Sequence, residues 1–395
     1  EYIRKNFDPE IFLDSDYDTK EAIIEQLGIE ESAEAIATLD SDDAVDVIED
    51  LNEGDQQDIL EAIEDKQQRA ELEEGLSYPE DSAGRLLEKQ FVSVPEFYNV
   101  GQTIDHLRQL DDGPSDFYEI FLVDPAMKPI GGVMLSRVMR SHRDIKMRDL
   151  MRDNIKVINA TMDQEEVAFI FRQYGLASAP VINDEGRMIG VISVDDVVDV
   201  MAEEAHEDIM HLGGISESDL HTGFFKTAKR RFPWLVVNLI TAIIASIVIA
   251  MFENNIAALA SLAVLMPIIA SMGGNAGTQT LTVAVRAIAT KELTAANGMY
   301  IVGKELLVGM ANGLAFAVIT GLMVYGWYAD IWLSIVFAIA TILTMLLAGF
   351  AGVAIPLGLV RLGVDPAIAS SVFLTTITDV VAFASFLGFA AAVLL

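Results

Sequence analysis

Apolar positions follow two different patterns along the chain. Up to about residue 228 they recur at the short periods of amphipathic helices and half-buried strands. From Phe232 to Met251 the sequence FPWLVVNLITAIIASIVIAM runs for twenty residues without a charge. At 1.5 Å per residue that is long enough to cross a hydrocarbon core of about 30 Å. Four more apolar stretches follow, at roughly Ile256–Ala289, Ile301–Tyr325, Ile331–Leu359 and Pro366–Leu395. Buried helices of a globular domain are the competing explanation, but five such stretches after residue 229 argue for five spanning helices.

Within the first regime, residues 79–206 contain an internal repeat. FLVDPAMKPIGGVMLSRVM (Phe121–Met139) matches VINDEGRMIGVISVDDVV (Val181–Val198), with Gly131 and Gly190 59 positions apart. Each copy reads as strand, turn, strand and helix, preceded by an amphipathic helix such as Asp163–Tyr174. Ahead of the repeat, LDSDDAVDVI (Leu39–Ile48) and LNEGDQQDIL (Leu51–Leu60) echo each other at twelve residues, each a polar capping run followed by an amphipathic helix. Asp42 and Asp46 lie four apart, on one helical face. Such carboxylates are usually just a solvated face, and an ion-sensing use is the competing reading. Behind the repeat, Ala202–Lys226 is an acidic helical connector into the first span. The organisation expected is a helical acidic N-terminal domain at 1–78, two α/β repeats at 79–143 and 144–206, a connecting helix at 207–228 and a five-helix membrane domain at 229–395. The chain begins at Glu1, so the first domain is expected to be partial.

Charge sharpens this division. The chain holds 26 Lys+Arg and 59 Asp+Glu, a net of −33. From Lys229 onward there are 7 basic and 6 acidic residues, leaving 19 and 53 in the first 228, a net of −34 there. No basic footprint exists for a nucleic acid. With no cysteine, disulfides, thiolate zinc sites and cysteine nucleophiles are excluded. Lys226, Lys229, Arg230, Arg231, Arg286, Lys291, Lys304 and Arg361 fall on one side of the spans, against Glu253 and Asp330 on the other. By the positive-inside rule the N-terminal part is cytoplasmic and the C-terminus outside. An odd number of spans favours a two-fold dimer with a pore on its axis.

The candidate chemistry lies inside the spans. MPIIASMGGNAGTQT (Met266–Thr280) combines Pro267 with Gly273, Gly274 and Gly277, so broken backbone with free carbonyls beside Asn275 and Gln279 is expected there, with small-residue helix packing as the competing reading. Asp379 sits about thirteen residues into the last stretch, among Thr375, Thr376 and Thr378. A carboxylate at that depth costs about 2.5–3.5 kcal/mol on insertion scales and usually faces a pathway or a partner. No second ionisable site is read in the spans. Oxygen donors without cysteine or a mid-span histidine favour a hard cation, and one carboxylate with many neutral oxygens suits hydrated Mg²⁺. Gly298–Lys304 imitates a P-loop but lacks its Ser/Thr and its strand, and His206, Glu207 and His211 miss the zincin spacing. No enzymatic motif remains, and a divalent cation entering across 100 mV gains about 4.6 kcal/mol without one.

The repeat resembles a pair of CBS domains, which commonly bind adenosine nucleotides. Ser193-Val194-Asp195-Asp196 matches that family's Ser/Thr-x-x-Asp, so a possible ATP ribose site falls on Asp196, with a purely structural pair as the alternative. The whole chain resembles the MgtE family of Mg²⁺ channels and transporters, on GGNAGTQ (Gly273–Gln279), RLGVDPA (Arg361–Ala367) and the TTITD stretch ending at Asp379. That resemblance implies a homodimer in a bilayer with Asp379 as the selectivity carboxylate for hydrated Mg²⁺, near Asn275 and the Thr375 carbonyl. It also implies regulatory Mg²⁺ on Asp42, Asp46, Glu185, Asp195 and Asp219, with Ser216 standing where an Asp is usual. High internal Mg²⁺ would then close the pore. A Na⁺- or H⁺-coupled exporter and a membrane-anchored nucleotide sensor are the competing functions.

Overall fold

The computed structural model describes residues 7–13, 15, 17–110, 113–114, 117–215, 224–294 and 296–394. It divides into two compact units, Glu1–Glu204 and Ala205–Leu395.

The N-terminal unit begins with five short helices, α1 (Tyr17–Leu27), α2 (Ile29–Ile36), α3 (Ser41–Glu49), α4 (Glu53–Ala62) and α5 (Lys66–Ser77). Side-chain caps set the starts of α4 and α5. Asn52 accepts from the Gly54 and Asp55 amides, and Asp65 from those of Gln67 and Gln68, satisfying donors that have no partner within the helix. Phe12, Ile36, Ile48, Ile59 and Leu72 close the core between them. The twelve-residue echo thus folds as α3 and α4.

The repeat follows as two three-stranded sheets of the same topology. In the first, β1 (Ser93–Pro95) runs parallel to β2 (Glu119–Val123), which pairs antiparallel with β3 (Pro129–Met134). In the second, β4 (Ile158–Asn159), β5 (Ser178–Ile182) and β6 (Met188–Ser193) do the same. The register matches the sequence alignment: Leu122 faces Gly131 and Val181 faces Gly190, and each pair is followed by a bulge, at Leu122/Val123 and Val181/Ile182. The helices of this region are α6 (Val100–Leu107), α7 (Leu135–Met139), α8 (Met147–Leu150) and α9 (Gln164–Tyr174), with Asp163 capping the last. One helix, α10 (Val194–Leu212), leaves β6 and continues into the connector.

The C-terminal unit is helical. It comprises α11 (Phe224–Ala250), a short α12 (Glu253–Ala258), α13 (Ser261–Ala289), α14 (Gly298–Tyr328), α15 (Ile331–Arg361) and α16 (Pro366–Val393). Four segments are long and apolar enough to cross a membrane: Thr227–Ala250, Gly298–Tyr328, Ile331–Arg361 and Ser370–Val393. The remaining expected span corresponds to α13. Its 29 residues suffice in length, but its Asn, Gln, Thr and Gly content keeps it out of that class, so five spans are not established by composition. Leu262, Leu265 and Ile269 of α13 nevertheless pack with Phe337 and Phe386 in the core of this unit.

The expected broken backbone at Met266–Thr280 does not occur. The helix runs unbroken through Pro267 and all three glycines, because an unpaired peptide group in an apolar bundle costs more than the helix propensity glycine lacks. The irregular backbone lies earlier, at Leu259 (φ −136°, ψ 87°), where α12 gives way to α13. The glycines serve approach instead: a Cβ on Gly273 would lie 2.5 Å from Thr344 Cγ2, and one on Gly352 would lie 3.0 Å from the Gly277 carbonyl. The α14–α15 contact is closer still to bare backbone, since a Cβ on Gly349 would lie 2.9 Å from the Glu305 carbonyl oxygen. Gly349→Leu is therefore expected to destabilise the bundle by about 1–3 kcal/mol through overpacking. Gly303→Ala, which meets nothing within 4 Å, is expected to be neutral or slightly stabilising, as checked by thermal unfolding in detergent.

Candidate functional site

Two groups of carboxylates stand out, one in each unit. The first lines a cleft of roughly 730 Å³ in the N-terminal unit. The construction of this cleft is local. Residues after α5 lay an extra strand-like segment along β6, with the Glu88 amide donating to the Val191 carbonyl at 2.9 Å and the Val191 amide donating back at 3.1 Å. Only glycine fits opposite, because a Cβ on Gly190 would lie 2.4 Å from the Glu88 carbonyl oxygen. Ser41 then ties the start of α3 to the same segment. Its hydroxyl donates to the Leu87 carbonyl at 3.1 Å and accepts from the Lys89 amide at 3.0 Å. At the start of α10, Asp196 Oδ2 accepts from the Ser193 amide at 3.1 Å and the Ser193 hydroxyl bonds to Asp195. Two helix N-termini thus bring Asp42, Asp43, Asp195 and Asp196 to the cleft, where Asp40, Asp199 and Glu88 join them.

The electrostatic consequence is strong. Glu88 is pushed up to about 8, first by burial and then by Asp42, Asp195, Asp40 and Asp43. Asp43 rises to about 6 by burial and by Asp40, Asp46, Asp199 and Glu10. Burial and neighbouring carboxylates also raise Asp42 and Asp196. Asp42 is 8% exposed, and its Oδ1 is buried without a hydrogen-bond partner. The lysine lining the cleft, Lys89, is engaged by Glu74 at 2.9 Å.

The expected sensor residues are only partly gathered here. Asp42, Asp195 and Asp196 line the cleft. Asp46 instead faces the buried Lys20, 3.9 Å from its Nζ, while Lys20 holds Asp50 at 2.5 Å. Glu185 lies on the exposed β5–β6 turn, paired with Arg187 at 3.0 Å. Asp219 and Ser216 fall outside the described residues. Among the described residues no preformed cluster of three or more His, Asp and Glu ligands is present. Glu88 and Asp43 were missed by sequence reasoning. Nothing in the spacing marks Glu88, because it reaches the cleft through pairing with β6.

The second group centres on Asp379, fourteen residues along α16 and half-buried. Its neighbour Thr378 is buried against the Gly273 surface of α13, and the Thr378 hydroxyl donates to the Thr375 carbonyl at 3.0 Å. No charged side chain among the described residues interacts with Asp379. Asn275 and Thr375 are exposed on the outside of the single bundle. The Asn275 amide donates to Ser271 Oγ at 3.4 Å. No direct hydrogen bond joins Asn275 to Asp379 in the single chain. The expectation of a lone ionisable group fails. Glu305 lies inside the candidate span Gly298–Tyr328, half-buried and accepting from Thr280 Oγ1 at 3.3 Å. Its position five residues into an apolar stretch was visible in the sequence. The P-loop imitation at Gly298–Lys304 is simply the start of α14.

Apolar candidate spans joined to a CBS pair and a small acidic helical domain define a multi-pass membrane protein of the transporter class. Residues 1–81 match the MgtE intracellular N domain, 147–203 the CBS domain and 266–389 the MgtE divalent cation transporter family. The magnesium transporter MgtE of Thermus thermophilus is 32% identical over 325 residues, covering 82% of this chain and 72% of that protein. That of Bacillus subtilis is 28% identical over 318 residues, covering 80% and 70%. Among solved structures, the soluble part of a magnesium transporter is 23% identical, covering 48% of this chain and 73% of that chain, with a TM-score of 0.45. The chain belongs to the MgtE family.

The raised carboxylates of the cleft make a prediction about stability. Folded Glu88 and Asp43 hold protons at pH values where the unfolded chain, with ordinary carboxylates near 4, has lost them. Stability is thus fully present below about pH 4 and is lost as pH rises through 6 to 8. The N-terminal unit is expected to melt lower at pH 9 than at pH 5 in divalent-free buffer. Glu88→Gln should recover on the order of 1–2 kcal/mol of the loss after allowance for solvent screening. Thermal unfolding of the full chain across that pH range is the measurement.

Proposed function

We propose that this chain carries Mg²⁺ across a cell membrane as a homodimer whose conduction falls as Mg²⁺ fills the acidic cleft. The observation that carries the transport reading is Asp379, a carboxylate within a candidate span and without a charged partner among the described residues. Asn275 and Thr375 lie uncovered on the bundle surface. A bare polar stripe and a carboxylate facing acyl chains are costly, whereas a second copy on a two-fold axis would face the stripe with its own and enclose a polar path. Two Asp379 across that axis repel unless a cation lies between them. All donors there are hard oxygens, which suits Mg²⁺ held through its own water. Asn275 and the Thr375 carbonyl would then contact the hydration shell. In this reading α13 is a fifth span, and its polar face is tolerated because the dimer covers it. The charge bias of the loops supports a cytoplasmic N-terminal unit and a C-terminus outside.

The cleft fits a regulatory divalent cation on the same chemistry. The unpartnered Oδ1 of Asp42 is a buried acceptor awaiting a donor or a cation, and Glu88, Asp43, Asp195 and Asp196 supply further oxygens. Two like charges 6 Å apart at an effective dielectric near 40 repel by about 1.4 kcal/mol. Several such pairs would bias the cleft open until Mg²⁺ neutralises them, a two-state switch biased by ligand. Asp46 has a weaker claim as a ligand because Lys20 already neutralises it, and Glu185 because Arg187 does. An adenosine nucleotide at Asp196 is the second reading. Asp196 already caps α10 with one oxygen, which leaves the other for a ribose, but the surrounding carboxylates disfavour bare phosphates.

Mg²⁺ uptake into liposomes tests both parts. Asp379→Ala is expected to abolish selective flux, and unchanged flux in that variant would end the assignment. Asp42→Asn is expected to raise the Mg²⁺ concentration needed for inhibition several-fold, and truncation before Lys226 to remove inhibition altogether. Flux that depends on Na⁺ or on a pH gradient would favour the coupled exporter, for which Glu305 offers a second ionisable group inside the spans. Binding of nucleotide without any flux would favour the anchored sensor.

A further inference from the structure

The last turn of α10 is held in the C-terminal unit by a histidine whose surroundings are almost entirely acidic. His211 is 11% exposed. Its Nε2 lies 3.5 Å from Glu207 Oε1, one turn back on the same helix, and its Nδ1 lies 3.4 Å from Asp365 Oδ2. Asp365 is the N-cap of α16, where its other oxygen accepts from the Ala367 amide at 2.7 Å. Half-buried Asp208 completes the acidic surroundings. Its carboxyl is raised by burial first, then by Asp365 and Glu207, and His211 opposes that rise. The same turn also makes apolar contacts with the other helices. Leu212 packs with Leu281 and Val285 of α13, Ala351 of α15 and Leu374 of α16.

Just beyond, Gly214 adopts φ +73°, and a Cβ there would lie 1.6 Å from Trp234 Nε1 on α11. The connector's end is therefore pressed onto an indole ring at a position only glycine can occupy.

The geometry at Nδ1 shows which protonation state this arrangement rewards. Nδ1 is buried and makes no hydrogen bond, although a carboxylate oxygen is within ion-pair distance. A neutral imidazole has an N–H for only one of the two flanking carboxylates, whereas an imidazolium offers one to each and is attracted by Glu207, Asp208 and Asp365 together. Histidine is the side chain that ordinarily changes charge between about pH 5 and 8. We propose that His211 is a proton-sensitive positioning residue: as an imidazolium it clamps Glu207 and Asp365 and keeps the connector seated against the start of α16, and on losing its proton it lets that turn go. The helix it steadies is the one carrying Asp379, so cytoplasmic acidification would hold the connector down independently of the Mg²⁺ cleft.

Trp234 provides a readout that does not depend on transport. The chain holds three tryptophans, so replacing Trp327 and Trp332 by Phe leaves Trp234 alone. In lipid nanodiscs with chelator present, its emission is expected to shift red by several nanometres between about pH 5.5 and 8.5 in a single transition. His211→Gln should fix the emission at its alkaline position and His211→Arg at its acidic one. A titration that survives in His211→Gln, or emission of the parent chain that does not respond to pH, overturns the proposal. Mg²⁺ flux measured on the same proteins separates this latch from the transport reading: absence of flux would sink transport while the emission titration still judges His211.

Discussion

Negative charge held close together with too little positive charge to balance it is the constraint on which the rest of this structure depends. In the cleft, ten acidic residues share a lining with one lysine, and that lysine is already bound to Glu74. Water alone cannot relieve such crowding, because Asp42 is buried and Glu88 lies against β6. The free energy stored there favours any ligand that brings positive charge, a proton included. The same imbalance recurs in the C-terminal unit with a single group, Asp379, where a low dielectric takes the place of crowding in making the charge expensive.

Backbone features hold these groups where they are. The cleft depends on Gly190, which admits the Glu88 segment, on Ser41, which ties the start of α3 to that segment, and on Asp196 at the start of α10. Carboxylates near helix N-termini gain from the helix dipole, which offsets part of their mutual repulsion and makes these positions tolerable. Helix α10 contributes Asp195 and Asp196 at its start and His211 at its end. Asp365 in turn caps the helix that carries Asp379. Each acidic site is thus built on a rigid element, so charge changes are met by movement of whole helices more readily than by local rearrangement.

The helical bundle resolves a conflict between two uses of glycine. In water, Gly273, Gly274 and Gly277 would loosen a helix. Within an apolar bundle the peptide groups have no other partner, so α13 stays helical and the missing side chains become contact surface for Thr344, Leu374 and Gly352. The irregular backbone lies instead at Leu259, between α12 and α13. Van der Waals contact across small residues takes over the work that the hydrophobic effect does in a soluble core.

The amino-acid order alone determined whatever is periodic or local: two regimes of apolar spacing, the repeat with its Gly131 and Gly190 in equivalent register, the amphipathic helices α3 and α4, and a carboxylate fourteen residues along the last helix. These follow from side-chain volume and polarity along a single segment. Tertiary structure alone decided which acids share a cleft. Asp42 and Asp196 were expected to have roles, but Glu88 joined them only through pairing with β6, while Asp46 was claimed by Lys20 from another helix and Glu185 by Arg187. Only the folded chain could show that Asn275 lies exposed on the bundle, or that His211 meets Asp365 more than 150 positions later. Coulomb interaction depends on distance in space and on burial, and neither quantity is written in the sequence spacing of residues that lie far apart.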